Sequence, residues 1–202
     1  MKVIEQLLAN AAISPIAGVD EAGRGACAGP LVIASVVLND PFAPELAVVR
    51  DSKEIAENKR DAVFELIHQV AASVSVVIVP ASEVDSRGVH AANLDGMRRA
   101  VQGLTVEPAY VLTDGYAIEG LGLPNLAVWK GDQVVVSISA ASVIAKVTRD
   151  RIMREMDGEF PQYGFAGHKG YITAAHTKAL NEHGPCAQHR RSFANVAALI
   201  HK

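Results

Sequence analysis

Gly18-Val19-Asp20-Glu21-Ala22-Gly23-Arg24-Gly25-Ala26-Cys27-Ala28-Gly29-Pro30 joins two apolar runs, residues 16–19 and 31–38. Both runs read as β-strands, the second an unbroken, largely β-branched stretch. Neighbouring side chains of an extended chain point to opposite faces, so Asp20 and Glu21 can share a ligand only where the strand ends or twists. The glycines next door allow that, because glycine takes φ > 0 and lets a backbone or a phosphate come close. Carboxylates able to hold a cation thus stand beside N–H groups and a guanidinium able to hold an anion. Taken alone, an acidic pair followed by a Gly-rich turn is also ordinary hairpin punctuation.

Outward from this segment, residues 2–11 have the apolar spacing of a helix, ended by Ser14-Pro15. Residues 58–71 form a second predicted helix, with Ala62, Phe64, Leu66, Ile67 and Val70 inward. A third strand spans 74–79 and stops at Pro80, and a helix follows over 91–103. Strands four and five are expected over 109–115 and 126–130, each running into a glycine and an acid. A long helix is predicted over 138–157, its first half lined with small residues and its second half carrying Asp150/Arg154 and Arg151/Glu155 at i,i+4. Helices over 173–182 and 195–202 complete the chain. Three strands in succession, then strands alternating with helices, give an α/β protein: a mixed five-stranded sheet flanked by helices with a helical C-terminal extension. One domain over 1–202 is expected, with about 158–202 as the extension.

The 202 residues, half of them hydrophobic, can build a full core without disulfide staples. Two cysteines are too few for a disulfide framework, the first twelve residues lack a signal-peptide layout, and no apolar run approaches the ~20 residues of a membrane span. A cytoplasmic protein, monomeric and without a membrane partner, is expected. Charge is unevenly spread. Residues 1–145 hold 10 Lys+Arg against 17 Asp+Glu, whereas 146–202 hold 9 against 5. The basic C-terminal quarter hints at a polyanionic partner.

Asp20, Glu21, Asp114 and Asp132 each sit at a predicted strand end beside glycine or one residue from it, the kind of place where open α/β sheets bind ligands. Converging carboxylates raise one another's pKa values. A hard divalent cation relieves that, and the lack of a Cys/His ligand set favours Mg2+ or Mn2+ over zinc. Two such ions roughly 4 Å apart could hold the attacking and leaving oxygens of a phosphoryl displacement.

Taken with Asp51-Ser52-Lys53, Thr113-Asp114-Gly115, Lys130-Gly131-Asp132, the run 139–151, Tyr163-Gly164-Phe165, His168-Lys169-Gly170-Tyr171 and 189–193, the opening segment resembles the ribonuclease HII family over about residues 16–195. The resemblance implies a ribonuclease H-like fold and metal-dependent cleavage of RNA in RNA–DNA hybrids. It also implies incision 5′ to single ribonucleotides in duplex DNA, leaving 3′-hydroxyl and 5′-phosphate ends, in ribonucleotide repair and replication. Asp20, Glu21, Asp114 and Asp132 match the family's metal-binding and catalytic acids. Asp150 is the rival for the fourth place; its mid-helix position with Arg154 one turn on favours an ion pair instead. Gly23, Arg24 and Gly25 match the motif that reads the 2′-hydroxyl and adjacent phosphate, and Tyr171 the tyrosine that packs on the following sugar. Lys53, Lys146 and Lys169 are candidate phosphate contacts.

The related ribonuclease HIII family carries an N-terminal substrate-binding domain, whereas here the motif begins by residue 18. Arg190-Arg191 are expected to fasten the C-terminal segment, Cys27 to be a small buried hydrophobe, His68 and His90 to be structural, and Trp129 to pack. The tail 199–202 lacks the aromatic pair of a sliding-clamp motif.

Overall fold

The structure, a computed structural model, describes residues 3–49, 52 and 55–200. Its centre is strand β1 (Ile16–Ala22), flanked by antiparallel β2 (Leu31–Leu38) and parallel β4 (Tyr110–Asp114). Beyond them lie β3 (Ala71–Val79), antiparallel to β2, and β5 (Asn125–Val128), parallel to β4, giving the order β3-β2-β1-β4-β5. All eight residues of β2 are buried, because the sheet is covered on both faces. The long helix α6 (Val136–Glu159) and α2 (Glu57–Val70) close over one face through Val32, Ala34, Val36, Val143 and Ile144. The other face, with Ala17, Val19, Leu31 and Ile33, packs on Met97 and Ala100 of α4 (Val89–Gln102) and Val84 of α3 (Ala81–Arg87).

Two features set α6 against β1. At Gly18 a Cβ would collide with the backbone of Ser137 and Ile138, so only glycine admits the helix this close. Glu5 of α1 (Val3–Asn10) is fully buried, and its carboxylate accepts the N–H groups of Val136 and Ser137 at 3.0 and 2.9 Å. An acid from another helix therefore satisfies two of the orphan donors of the first α6 turn. Among the described residues no helix is long and apolar enough to cross a membrane.

The expected elements are present, with instructive departures. Strand β1 runs on to Ala22, carrying both acids inside the ladder, and β3 begins at Ala71. Helix α3 fills what read as a connection after Pro80. On α2 the buried residues are Val63 and Ile67, while Ala62 is exposed and Leu66 half-buried. The pairs predicted within α6 are replaced by pairs across to α2. Arg154 meets Glu57 at 3.0 Å and Arg151 meets Asp61 at 2.8 Å, because the charged face of α6 lies against the acidic N-terminal half of α2. Asp150 instead pairs with Lys146 at 2.8 Å and Arg60 at 3.9 Å.

Candidate active site

Parallel pairing puts Val19 beside Thr113, so the next residues of β1 and β4, Asp20 and Asp114, stand side by side where the pairing of these two strands ends. Asp132 arrives on the one-turn helix α5 (Gly131–Val134), entered through Lys130 in the left-handed region at φ 51°. The Gly131 N–H donates to Asp114 Oδ1 at 2.7 Å, and the Ser139 hydroxyl donates to the Asp132 carbonyl at 2.6 Å. These bonds tie the α5 turn to β4 and α6. One carboxylate oxygen each from Asp20, Asp114 and Asp132 lie within 4.8 Å of one another.

Asp20 is 5% exposed. Burial, and then the charges of Glu21 and Asp114, push its carboxyl well above the ordinary range; the Glu21 N–H at 2.7 Å and the Ser142 hydroxyl oppose this. Such an all-oxygen, anionic set fits a hard divalent cation. Glu21 stands beside the trio on the strand's opposite face and lines the same cavities without belonging to the set of three.

Two openings meet at these acids. One, of about 540 Å³, is bordered by Gly23–Gly25, Ser52, Arg60, Lys146 and Tyr171. The other, of about 390 Å³, is bordered by Tyr116, Trp129, Lys130 and Gln133. Arg24 and Glu21 line both. The Arg24 guanidinium lies 4.6 Å from the Tyr116 ring centroid, and its buried Nε has no hydrogen-bond partner among the described residues.

The loop holding Arg24 is clasped by two fully buried arginines. Arg149 donates to the carbonyls of Pro30, Ala28 and Lys169 at 2.9, 3.1 and 2.9 Å. Arg190 donates to those of Gly29 and Arg24, each at 3.1 Å, and its N–H to the Cys27 carbonyl at 2.8 Å. Burial lowers both guanidinium pKa values, with Arg190, also repelled by Arg149, falling to about 10. Gly23, at φ 88°, passes so near Arg149 that a Cβ would overlap the guanidinium. Arg190 thus fastens the C-terminal segment to this loop, while the Arg191 and Ser192 N–H groups are held by Asp85 at 2.8 and 2.9 Å.

Tyr171 is 39% exposed at the rim, with Arg149 5.4 Å from its ring centroid. Behind it the hydrogen bonds fix two neutral histidine tautomers. His176 Nδ1 donates to the Tyr171 carbonyl at 2.9 Å, His189 Nε2 donates to His176 Nε2 at 3.1 Å, and the Cys186 N–H donates to His189 Nδ1 at 3.0 Å. Burial, then repulsion by His176, lowers His189 to about 4, and burial lowers His176 too. Cys27 is buried beneath, its thiol donating to the Gly170 carbonyl at 3.5 Å.

Lys146 lines the larger opening. Lys169 does not. At φ 52° it turns its ammonium to the Ala166 carbonyl and to Glu57, 3.8 Å away. Lys53 lies outside the described residues. Trp129 does not pack: it is 82% exposed, since the left-handed Lys130 ends β5 before the chain turns back into the core. His68 and His90 are exposed, edging Phe64 and Tyr116 respectively. Arg60 had no sequence signal; it reaches the opening from α2, its Nε donating to the Ser52 carbonyl at 2.8 Å.

A family model described as Ribonuclease HII matches residues 17–196. A curated Ribonuclease HII of Acidothermus cellulolyticus is 57% identical over 95% of this chain, which spans 62% of that relative's length. Among solved structures, the ribonuclease H2 of Pyrococcus horikoshii superposes with a TM-score of 0.78 at 25% identity, covering 91% of this chain and 96% of the other. The ribonuclease HII from a complex with PCNA of Archaeoglobus fulgidus gives 0.78 at 26%, covering 89% and 95%.

Proposed function

Because the chain belongs to the ribonuclease HII family of metal-dependent endoribonucleases, we propose that it cleaves RNA in RNA–DNA hybrids and incises 5′ to single ribonucleotides embedded in duplex DNA. The products are 3′-hydroxyl and 5′-phosphate ends. The observation that carries this reading is the trio of carboxylate oxygens within 4.8 Å, set beside a buried arginine donor without a partner among the described residues.

Asp20, Asp114 and Asp132, with Glu21 beside them, would hold two Mg2+ or Mn2+ ions. Bound there, the ions supply an activated water and charge stabilisation at the departing 3′-oxygen. The chain's own contribution is placement. Gly23, Arg24 and Gly25 receive the ribonucleotide's 2′-hydroxyl and phosphate, the group that separates RNA from DNA, and Arg24 Nε is the unpaired donor available to it. Tyr171 packs on the following sugar, and Lys146 with Arg60 neutralises backbone phosphate on the Tyr171 side. Lys53 is proposed for the same task, whereas the ammonium partners of Lys169 argue for a structural role.

Residues from about 158 onward serve as the substrate-binding extension of one catalytic domain, acting as a cytoplasmic monomer in ribonucleotide repair and replication. The test is a nicking assay on a duplex with one ribonucleotide, with and without Mg2+, against an all-DNA duplex. Incision 5′ to the ribonucleotide only with metal is expected. Binding without incision in Mg2+ or Mn2+ would reduce the protein to a hybrid-binding module.

A further inference from the structure

Trp129 is the chain's sole tryptophan and exposes 82% of its surface, more than any other large hydrophobic residue described. An isolated exposed apolar residue needs no explanation; this one stands where the site opens. The 390 Å³ cavity it borders shares Glu21, Arg24 and Asp114 with the larger Tyr171 opening, so the acids lie between two adjoining arms of the site. The second arm offers aromatic and cationic groups together: Tyr116, already covered by the Arg24 guanidinium, then Trp129 and Lys130.

The backbone on either side of Trp129 is hydrogen-bonded to the strand that carries Asp114. Val128 is buried, its carbonyl accepts the Gly115 N–H at 3.1 Å, and Gly131 is bonded to Asp114 on the other side of the turn. The Trp129 backbone is therefore anchored next to the acids. On a duplex an exposed aromatic face can pack against sugar while a neighbouring ammonium meets phosphate, and neither contact reads sequence.

We infer that Trp129, with Lys130 beside it, is a substrate-positioning platform on which the nucleic-acid strand packs as it leaves the acids on the Tyr116 side. This contact lies in the cavity bordered by Tyr116, not in the one bordered by Tyr171, and rests on the activity proposed above. It makes no contact with the reacting atoms, so it acts on binding and not on the chemical step.

As the only tryptophan, residue 129 reports on itself. In Asp20→Asn protein with Mg2+, binding of a fluorophore-labelled duplex holding one ribonucleotide is followed by anisotropy. The same samples are probed for acrylamide quenching of tryptophan emission. Saturation with duplex is expected to shield Trp129 from acrylamide. In the active protein, Trp129→Ala is expected to raise KM about five- to tenfold with kcat changed less than about twofold, and Trp129→Phe to recover most of the loss. Duplex binding with unchanged acrylamide access, or a wild-type KM in Trp129→Ala, overturns the platform while incision by wild-type protein leaves the proposed activity standing. Absence of metal-dependent incision by the wild-type protein overturns both.

Discussion

At Asp20 burial, Glu21 and Asp114 all disfavour the charged form. A carboxyl whose folded pKa is raised keeps a proton that the unfolded chain has lost, so stability falls as pH rises from about 4 through the folded value. Metal-free Asp20→Asn is therefore expected to melt higher than wild type at pH 7, and Mg2+ or Mn2+ to raise the melting temperature of wild type far more than that of the variant. Equal melting and equal metal response would remove Asp20 from the cation site. At Arg24, the partnerless Nε predicts that Arg24→Ala loses about ten- to hundredfold in incision at a ribonucleotide while retaining duplex affinity more nearly intact. Parallel loss of affinity for ribo-containing and all-DNA duplexes would contradict that role. The clustered trio Asp20, Asp114 and Asp132 was legible as acids near glycine at the ends of strands expected from the sequence, although Asp20 lies inside β1 and Asp132 on α5. Lys169 and Trp129 were not, since a left-handed backbone at residues 169 and 130 decides where those side chains go, and nothing local in the sequence announces it.

At the level of elements, the strands were readable as β-branched runs, but their partners came from elsewhere. The first turn of α6 is capped by Glu5, more than a hundred residues away, which a search for local capping residues does not find. Glu5→Ala is expected to lower unfolding free energy by about 2 kcal/mol, because two buried N–H groups lose a charged acceptor; urea titration measures it, and an unchanged midpoint would refute the capping. The face of α2 was misjudged for a related reason. Val63 and Ile67 set its buried face, and its exposed acids Glu57 and Asp61 meet arginines of α6. Of the arginines that clasp the Arg24 loop, Arg190 was legible as a fastener of the C-terminal segment, whereas Arg149 carried no signal of its own. Only the fold shows that their donors answer backbone carbonyls across the molecule.

Across the whole molecule, the acidic sheet half carries the carboxylates and the C-terminal third supplies the posture of the Arg24 loop. The link includes the bonded chain from Tyr171 through His176 and His189 to Cys186. A histidine with a lowered folded pKa leaves the unfolded state holding the extra proton, so stability rises with pH between about 4 and 6.5. In the Asp20→Asn background, which removes the opposing carboxyl, the melting temperature is expected to climb from pH 4.5 to pH 6.5; a flat or falling profile would contradict neutral, bonded histidines. The central claim is that Asp20, Asp114 and Asp132 form a cage for divalent ions that incise beside a ribonucleotide. It is tested most directly by comparing Mg2+-dependent incision of a single-ribonucleotide duplex by Asp20→Asn, Asp114→Asn, Asp132→Asn and Asp150→Asn. The first three are expected to lose about a hundredfold or more and Asp150→Asn to stay within about tenfold of wild type; wild-type rates in any of the first three would contradict the claim.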